Sequence, residues 1–94
     1  DAGRRAAHLV GGRMRDYIEF DDDFAIAKMR PPKETHGFTL AESDIRAKYG
    51  VSVVGIKSPG EEFTYADAAT RIHSRDILIV SGQVDLIERF AARP

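Results

Sequence analysis

Residues 51–57 read VSVVGIK, an almost unbroken apolar run that stops at Ser58-Pro59-Gly60. A strand with hardly any polar face calls for cover on both sides. Proline presets one backbone angle of the turn that follows, and glycine is free to take a positive one. The return, EEFTYA, sets Phe63 and Tyr65 on one face and Glu62 and Thr64 on the other, so the two runs predict a hairpin. Upstream, FAIAKM at 24–29 alternates large and small side chains and ends before Pro31-Pro32, which cannot donate to a ladder. ILIVSG at 77–82 predicts a fourth strand.

The helical signals lie between these strands. Thr39 followed by Glu42 forms a capping box, in which each side chain satisfies a backbone donor near the other. Gly50 supplies the left-handed residue that commonly follows a helix. Between them the pattern predicts a helix of about ten residues carrying Leu40, Ala41 and Ile45. VDLIERFAAR closes the chain as a helix with Leu86, Ile87, Phe90 and Ala91 on one side. At the other end, Ala6, Leu9, Val10, Met14, Tyr17 and Ile18 recur at spacings of three and four, a helical stripe over 4–18 that Gly11-Gly12 interrupts. EFDDD, residues 19–23, reads as an acidic loop, and 67–76 as a connection with one helical turn tied down by Ile72. Helix, strand, helix, three strands, helix is the order of a two-layer α+β domain, with a roughly four-stranded, mainly antiparallel sheet carrying its helices on one face.

Composition narrows the function. The chain has 94 residues, enough for one small domain that buries only about 60–65% of its unfolded surface, so association would help its stability. Fourteen basic and 15 acidic residues leave a net charge of −1, no electrostatic case for a nucleic acid polymer as partner. There is no cysteine for a disulfide or a metal site, and no apolar run approaches the roughly 20 residues that span a bilayer. The opening DAGRRAAHLV has no initiator Met and reads as a cut from a longer protein.

Catalytic patterns are missing. His8, His36 and His73 are too dispersed for a short metal-ligand spacing. No serine stands in a nucleophile elbow, and HLVGGR lacks the strand and helix that flank a phosphate loop. Asp76 with His73 is the remaining acid–base pair, too little for an enzyme. Arg46, near the end of the capped helix and just ahead of the apolar strand, has two readings. It is a solvated arginine that favours a helix C-terminus, or an anion-binding arginine beside an apolar surface, presented twice if the domain dimerises.

The stretch DIRAKYGVSVVGIKSPGE, with the later DILIVSGQVDLIERF, resembles the C-terminal regulatory (TrkA-C) domain of RCK proteins, the cytosolic gating subunits and tails of bacterial potassium transporters and channels. The similarity runs from about residue 24 to 90, and GRRAAHLVGGRMRDYIEF resembles the helical linker that leaves the preceding nucleotide-binding domain. The resemblance divides the chain into a linker helix and acidic loop at 1–23 and a TrkA-C domain at 24–94. It implies a cytoplasmic homodimer, peripheral to the inner membrane through a potassium transporter or channel subunit, while the residues themselves lead to no expected metal site or resident cofactor. In several members cyclic di-AMP sits on the twofold axis between two such domains and closes potassium uptake. Carried over by position, Arg46 would face a phosphate, and Leu40, Ile45 and Tyr49 would supply apolar or aromatic wall. Ser52 stands where ligand-binding members often have an Asn. Arg75-Asp76 replaces a frequent Gly-Asp, and Tyr65-Ala66-Asp67 lacks a frequent Pro. A dimerisation module without ligand, or a regulatory domain of a cation/proton antiporter, is the alternative.

Overall fold

Alternation of buried and open positions along the longer strands decides the architecture. In the computed structural model, which describes residues 5–6, 14–20 and 23–94, the strands are β1 (Arg5–Ala6), β2 (Met14–Glu19), β3 (Phe24–Met29), β4 (Ser52–Lys57), β5 (Thr64–Tyr65) and β6 (Ile77–Gln83). The helices are α1 (Leu40–Ser43), α2 (Ile45–Tyr49) and α3 (Val84–Ala91), with a 3-10 turn at Lys33–Thr35. The strands make one sheet in the order β1-β2-β3-β6-β4-β5, every neighbouring pair antiparallel.

One face of this sheet is the core. Ala25, Ala27 and Met29 of β3, Leu78 and Val80 of β6 and Tyr17 of β2 point into it, and α3 covers them with Ile87, Phe90 and Ala91. Ile45, Val51, Ile56 and Ile72 complete the cluster. On the other face Ile18 pairs with Ile26, and Asp16 with Lys28, whose Nζ lies 3.0 Å from the Asp16 carboxylate. Phe24 there is 42% exposed and Tyr65 is 95% exposed. The apolar run at 51–57 is therefore covered on one side by its own helices, while Val54 remains 44% exposed.

The expected linker helix is corrected: residues 14–19 are a strand of the sheet. Met14, Tyr17 and Ile18 fit a helical stripe because both faces of this sheet take apolar side chains, so Tyr17 goes to the core opposite Ala27 and Ile18 to the open face opposite Ile26. Without β2, the outer backbone groups of β3 would be unpaired along its whole length. Phe20 N–H donates to Phe24 O at 2.7 Å and closes the hairpin at the acidic stretch. Residues 7–13, with Gly11-Gly12, and residues 21–22 of the acidic stretch lie outside the described residues. The sheet is thus six-stranded rather than four-stranded, and it crosses the boundary expected at residue 23.

The capped helix is also broken in two. Asp44 has φ 52°, a left-handed conformation that ends α1 and starts α2. Asp tolerates this region because its short polar side chain can bond locally. The helical turn expected within 67–76 is instead two hydrogen-bonded turns, Thr70 N–H to Asp67 O and Asp76 N–H to His73 O, each at 3.0 Å. The hairpin stands as read from the sequence, with Glu61 N–H donating to Ser58 O at 3.0 Å and Gly60 at φ 79°, although β5 is only two residues long.

Gly50 closes α2 at φ 74°, and a Cβ there would lie 3.0 Å from Leu86 Cδ1 on α3. Gly60 has a similar angle with nothing near it. Gly50→Ala should destabilise the fold by about 1–2 kcal/mol from the left-handed backbone, with a further loss from the Leu86 contact. Gly60→Ala should show the backbone cost alone. Denaturant midpoints of the two variants check this, and equal losses would remove the packing contribution of Leu86.

Candidate functional site

The capping box predicted from Thr39 and Glu42 is formed. Thr39 N–H donates to Glu42 Oε1 at 2.9 Å, and Glu42 N–H to Thr39 Oγ1 at 3.1 Å. The bond from the Thr39 backbone holds the Glu42 carboxyl below its ordinary value. Two further donors of the first turn are taken by the segment after β5: Leu40 N–H reaches Thr70 O at 2.9 Å and Ala41 N–H reaches Ala68 O at 3.1 Å. The start of α1 is therefore satisfied by protein and is not an open anion site.

This seating creates a depression of about 350 Å³ between the α1–α2 corner, the start of β4 and residues 66–68. Leu40, Ile45, Arg46 and Ser52, four of the five residues singled out in the sequence, line it together with Asp67 and Ala68. Ile45 is buried and belongs to the core. Arg46 is exposed, and among the described residues its guanidinium has no hydrogen bond or ion pair. Ser52 is half-buried and lies opposite Ser81 of β6. The wall is largely apolar, and Arg46 sets a positive charge on it, a combination suited to an anion carrying an apolar or aromatic body.

Tyr49 is the fifth residue, and the structure places it elsewhere. Ile45 and Tyr49, four apart on α2, share the face turned to the core. At the end of α2 that face meets α3, where the Tyr49 ring lies 5.0 Å from that of Phe90. The Arg93 guanidinium sits over the Tyr49 ring at 5.0 Å. Tyr49 thus lines a second depression, about 480 Å³, with Glu34, Lys48 and Arg93. Arg93 donates through Nε and Nη2 to both Glu34 oxygens, at 2.7 and 3.0 Å. These bonds hold the Glu34 carboxyl below its ordinary value.

Asp67 was missed in the sequence. The signal was the Asp67-x-x-Thr70 spacing, in which a side chain can fix its own turn. The buried Asp76 instead closes a turn, its Oδ2 accepting from His73 N–H at 2.9 Å with the His73 ring 3.6 Å away. His36 donates from Nε2 to Pro31 O at 3.0 Å.

The depressed Glu34 value has a sign. The Arg93 pairing favours folding above the ordinary glutamate range and loses that contribution as pH falls through the lowered Glu34 value. Arg93→Gln should therefore lower the melting temperature more at about pH 7 than at about pH 3. The same decrease at both pH values would assign the loss to stacking on Tyr49 alone.

A family model described as the TrkA-C domain matches residues 25–93. The chain is 40% identical over 95 residues to Ktr system potassium uptake protein C of Bacillus subtilis (strain 168), an alignment that covers 99% of this chain and 42% of that protein. It is 25% identical over 85 residues to Ktr system potassium uptake protein A of the same strain, covering 90% of this chain and 38% of that protein. The chain thus spans about two fifths of the length of these curated relatives. Among solved structures it is similar to the RCK C domain of the potassium transport protein KtrA in complex with cyclic di-AMP. That match has 30% identity and a TM-score of 0.63 over 74% of this chain and 82% of that one. The GsuK channel shares the fold, with 19% identity and a TM-score of 0.66 over 99% of this chain and 16% of that one. The chain belongs to the TrkA-C domain family.

Proposed function

We propose, with membership of the TrkA-C family as the premise, that this domain is a cytoplasmic regulatory module of a Ktr-type potassium transport system. As a homodimer it binds one cyclic di-AMP, and it associates with a membrane transporter or channel subunit. The observation that carries this reading is the position of Arg46, unpaired among the described residues in a depression walled by Leu40 and Ile45. The KtrA domain solved with cyclic di-AMP supports the choice of ligand. Among the described residues no helix is long and apolar enough to cross a membrane.

In this reading each of the two phosphates meets Arg46 of one subunit, and Ser52 adds a polar contact. Leu40 and Ile45 bury the base. Tyr49, turned toward Phe90, has no part in it. A twofold ligand suits a twofold dimer, because an isologous interface presents the same residues twice. The open sheet face exposes the large apolar side chains of Phe24, Val54 and Tyr65, which a second copy of the domain would cover, and this supports self-association.

Loss of Arg46 removes two charge-assisted contacts per ligand, each worth about 1.5–3 kcal/mol. In calorimetry with cyclic di-AMP, Arg46→Ala should weaken binding at least about a hundredfold. Arg46→Lys should recover only part of the loss, because a point charge does not reproduce the planar fork. Unchanged affinity in Arg46→Ala, or no heat at high ligand concentration, would leave a dimerisation module without this ligand. Sedimentation of the free domain at micromolar concentration should give about twice the 10.4 kDa chain mass, and a monomer there would remove the shared site.

A further inference from the structure

The depression that holds Arg46 also holds a fixed acceptor. Beyond β5, Ala66 N–H donates to Val54 O at 3.4 Å, and residues 66–68 line the depression. Asp67 then locks its own turn. Its N–H donates to Thr70 Oγ1 at 3.0 Å, while its Oδ1 accepts from Ala69 N–H at 3.0 Å and from the Thr70 hydroxyl at 3.2 Å. Two donors thus hold one carboxylate oxygen, and among the described residues the other, Oδ2, has no hydrogen-bond partner.

Arg46 and Asp67 line the same depression but form no ion pair with each other. A simple anion would use only the arginine. An unpaired cation and an unpaired acceptor in one depression with apolar lining match a ligand that carries both an anionic group and a hydrogen-bond donor on a flat ring. The alanines at 41, 66 and 68, which also line the depression, leave room for such a ring.

We propose that Asp67 is a specificity-determining residue. Its Oδ2 accepts a hydrogen bond from the exocyclic 6-amino group of a purine and repels a 6-oxo group in the same place. A carboxylate has acceptors only, so a 6-oxo base sets acceptor against acceptor and leaves Asp67 unsatisfied. The inference rests on the reading of this depression as the cyclic di-AMP site and adds which residue reads the base.

Asp67→Asn is the sharpest probe, because the turn fixes how the new amide sits. Its carbonyl takes the place of Oδ1 beside Ala69 N–H and the Thr70 hydroxyl, so its NH₂ group replaces Oδ2 and presents a donor. The experiment is calorimetric titration of the original domain and of Asp67→Asn with cyclic di-AMP and with cyclic di-IMP, which carries a 6-oxo group and no exocyclic amine. The original should favour cyclic di-AMP by roughly tenfold or more, and Asp67→Asn should bring the two within about threefold or reverse their order. Thermal melts of both proteins check that the turn is kept, and Asp67→Ala, with neither donor nor acceptor, should also lose the preference. A preference for cyclic di-AMP that survives in both variants overturns the inference while leaving the site in place. Equal binding of the two ligands by the original also overturns it. No binding of either ligand to the original removes the site and the inference together, an outcome distinct from the other two.

Discussion

Four backbone hydrogen bonds between the approach and first turn of α1 and the segment after β5 hold the candidate site in shape. Residues 37–41 and 68–72 run antiparallel, with Gly37 N–H to Ile72 O at 2.7 Å, Ile72 N–H to Phe38 O at 2.9 Å, and the two bonds from Leu40 and Ala41 to the carbonyls of Thr70 and Ala68. Neither segment is a sheet strand, apart from the isolated bridge of Thr39 with Arg71. Their pairing is anchored by Ile72, which is fully buried in the core cluster. The core thus fixes the loop, the loop caps α1, and α1 with α2 presents Arg46. Removal of Ile72 would reach the site through three elements without any contact between Ile72 and a ligand.

The two depressions on either side of α2 differ in how their charges are used. Arg93 is spent within the protein, on Glu34 and on the Tyr49 ring, so its depression is a clasp between the end of the chain and the turn at Lys33–Thr35. Lys33 N–H, donating to Pro94 O at 2.9 Å, belongs to the same clasp. Arg46 has no such partner among the described residues, and Asp67 keeps one oxygen in reserve. Groups satisfied inside the protein stabilise it, whereas groups held in place without a partner are available for recognition.

Local chemistry was legible in the sequence. Thr39 with Glu42, Gly50 at a helix end and Ser58-Pro59-Gly60 at a hairpin each act within a few residues, and each appears in the structure as read. The errors fall where pairing at a distance decides. Met14, Tyr17 and Ile18 keep helical spacing but form a strand, because β3 offers a partner and both faces accept apolar side chains. Four of the five residues named from the resemblance line one depression. Tyr49 was not, because the position of α3, which captures its ring, is set by tertiary packing rather than by the α2 sequence. Asp67 lies more than twenty residues from Arg46 along the chain, and only the folded loop brings the two to one wall.

The register shift between Val53 and Gly55 of β4 has an evolutionary consequence. β5 pairs with β4 only at Gly55 and Ile56, beyond the shift, while Ser52 and Val53 answer to β6 alone. A bulge of this kind absorbs a local change in strand geometry without passing it along the ladder. Insertions or deletions at the hairpin tip, around residues 58–61, are therefore taken up before they reach Ser52. The tip can drift in length and sequence among descendants of this chain while the recognition surface keeps its shape.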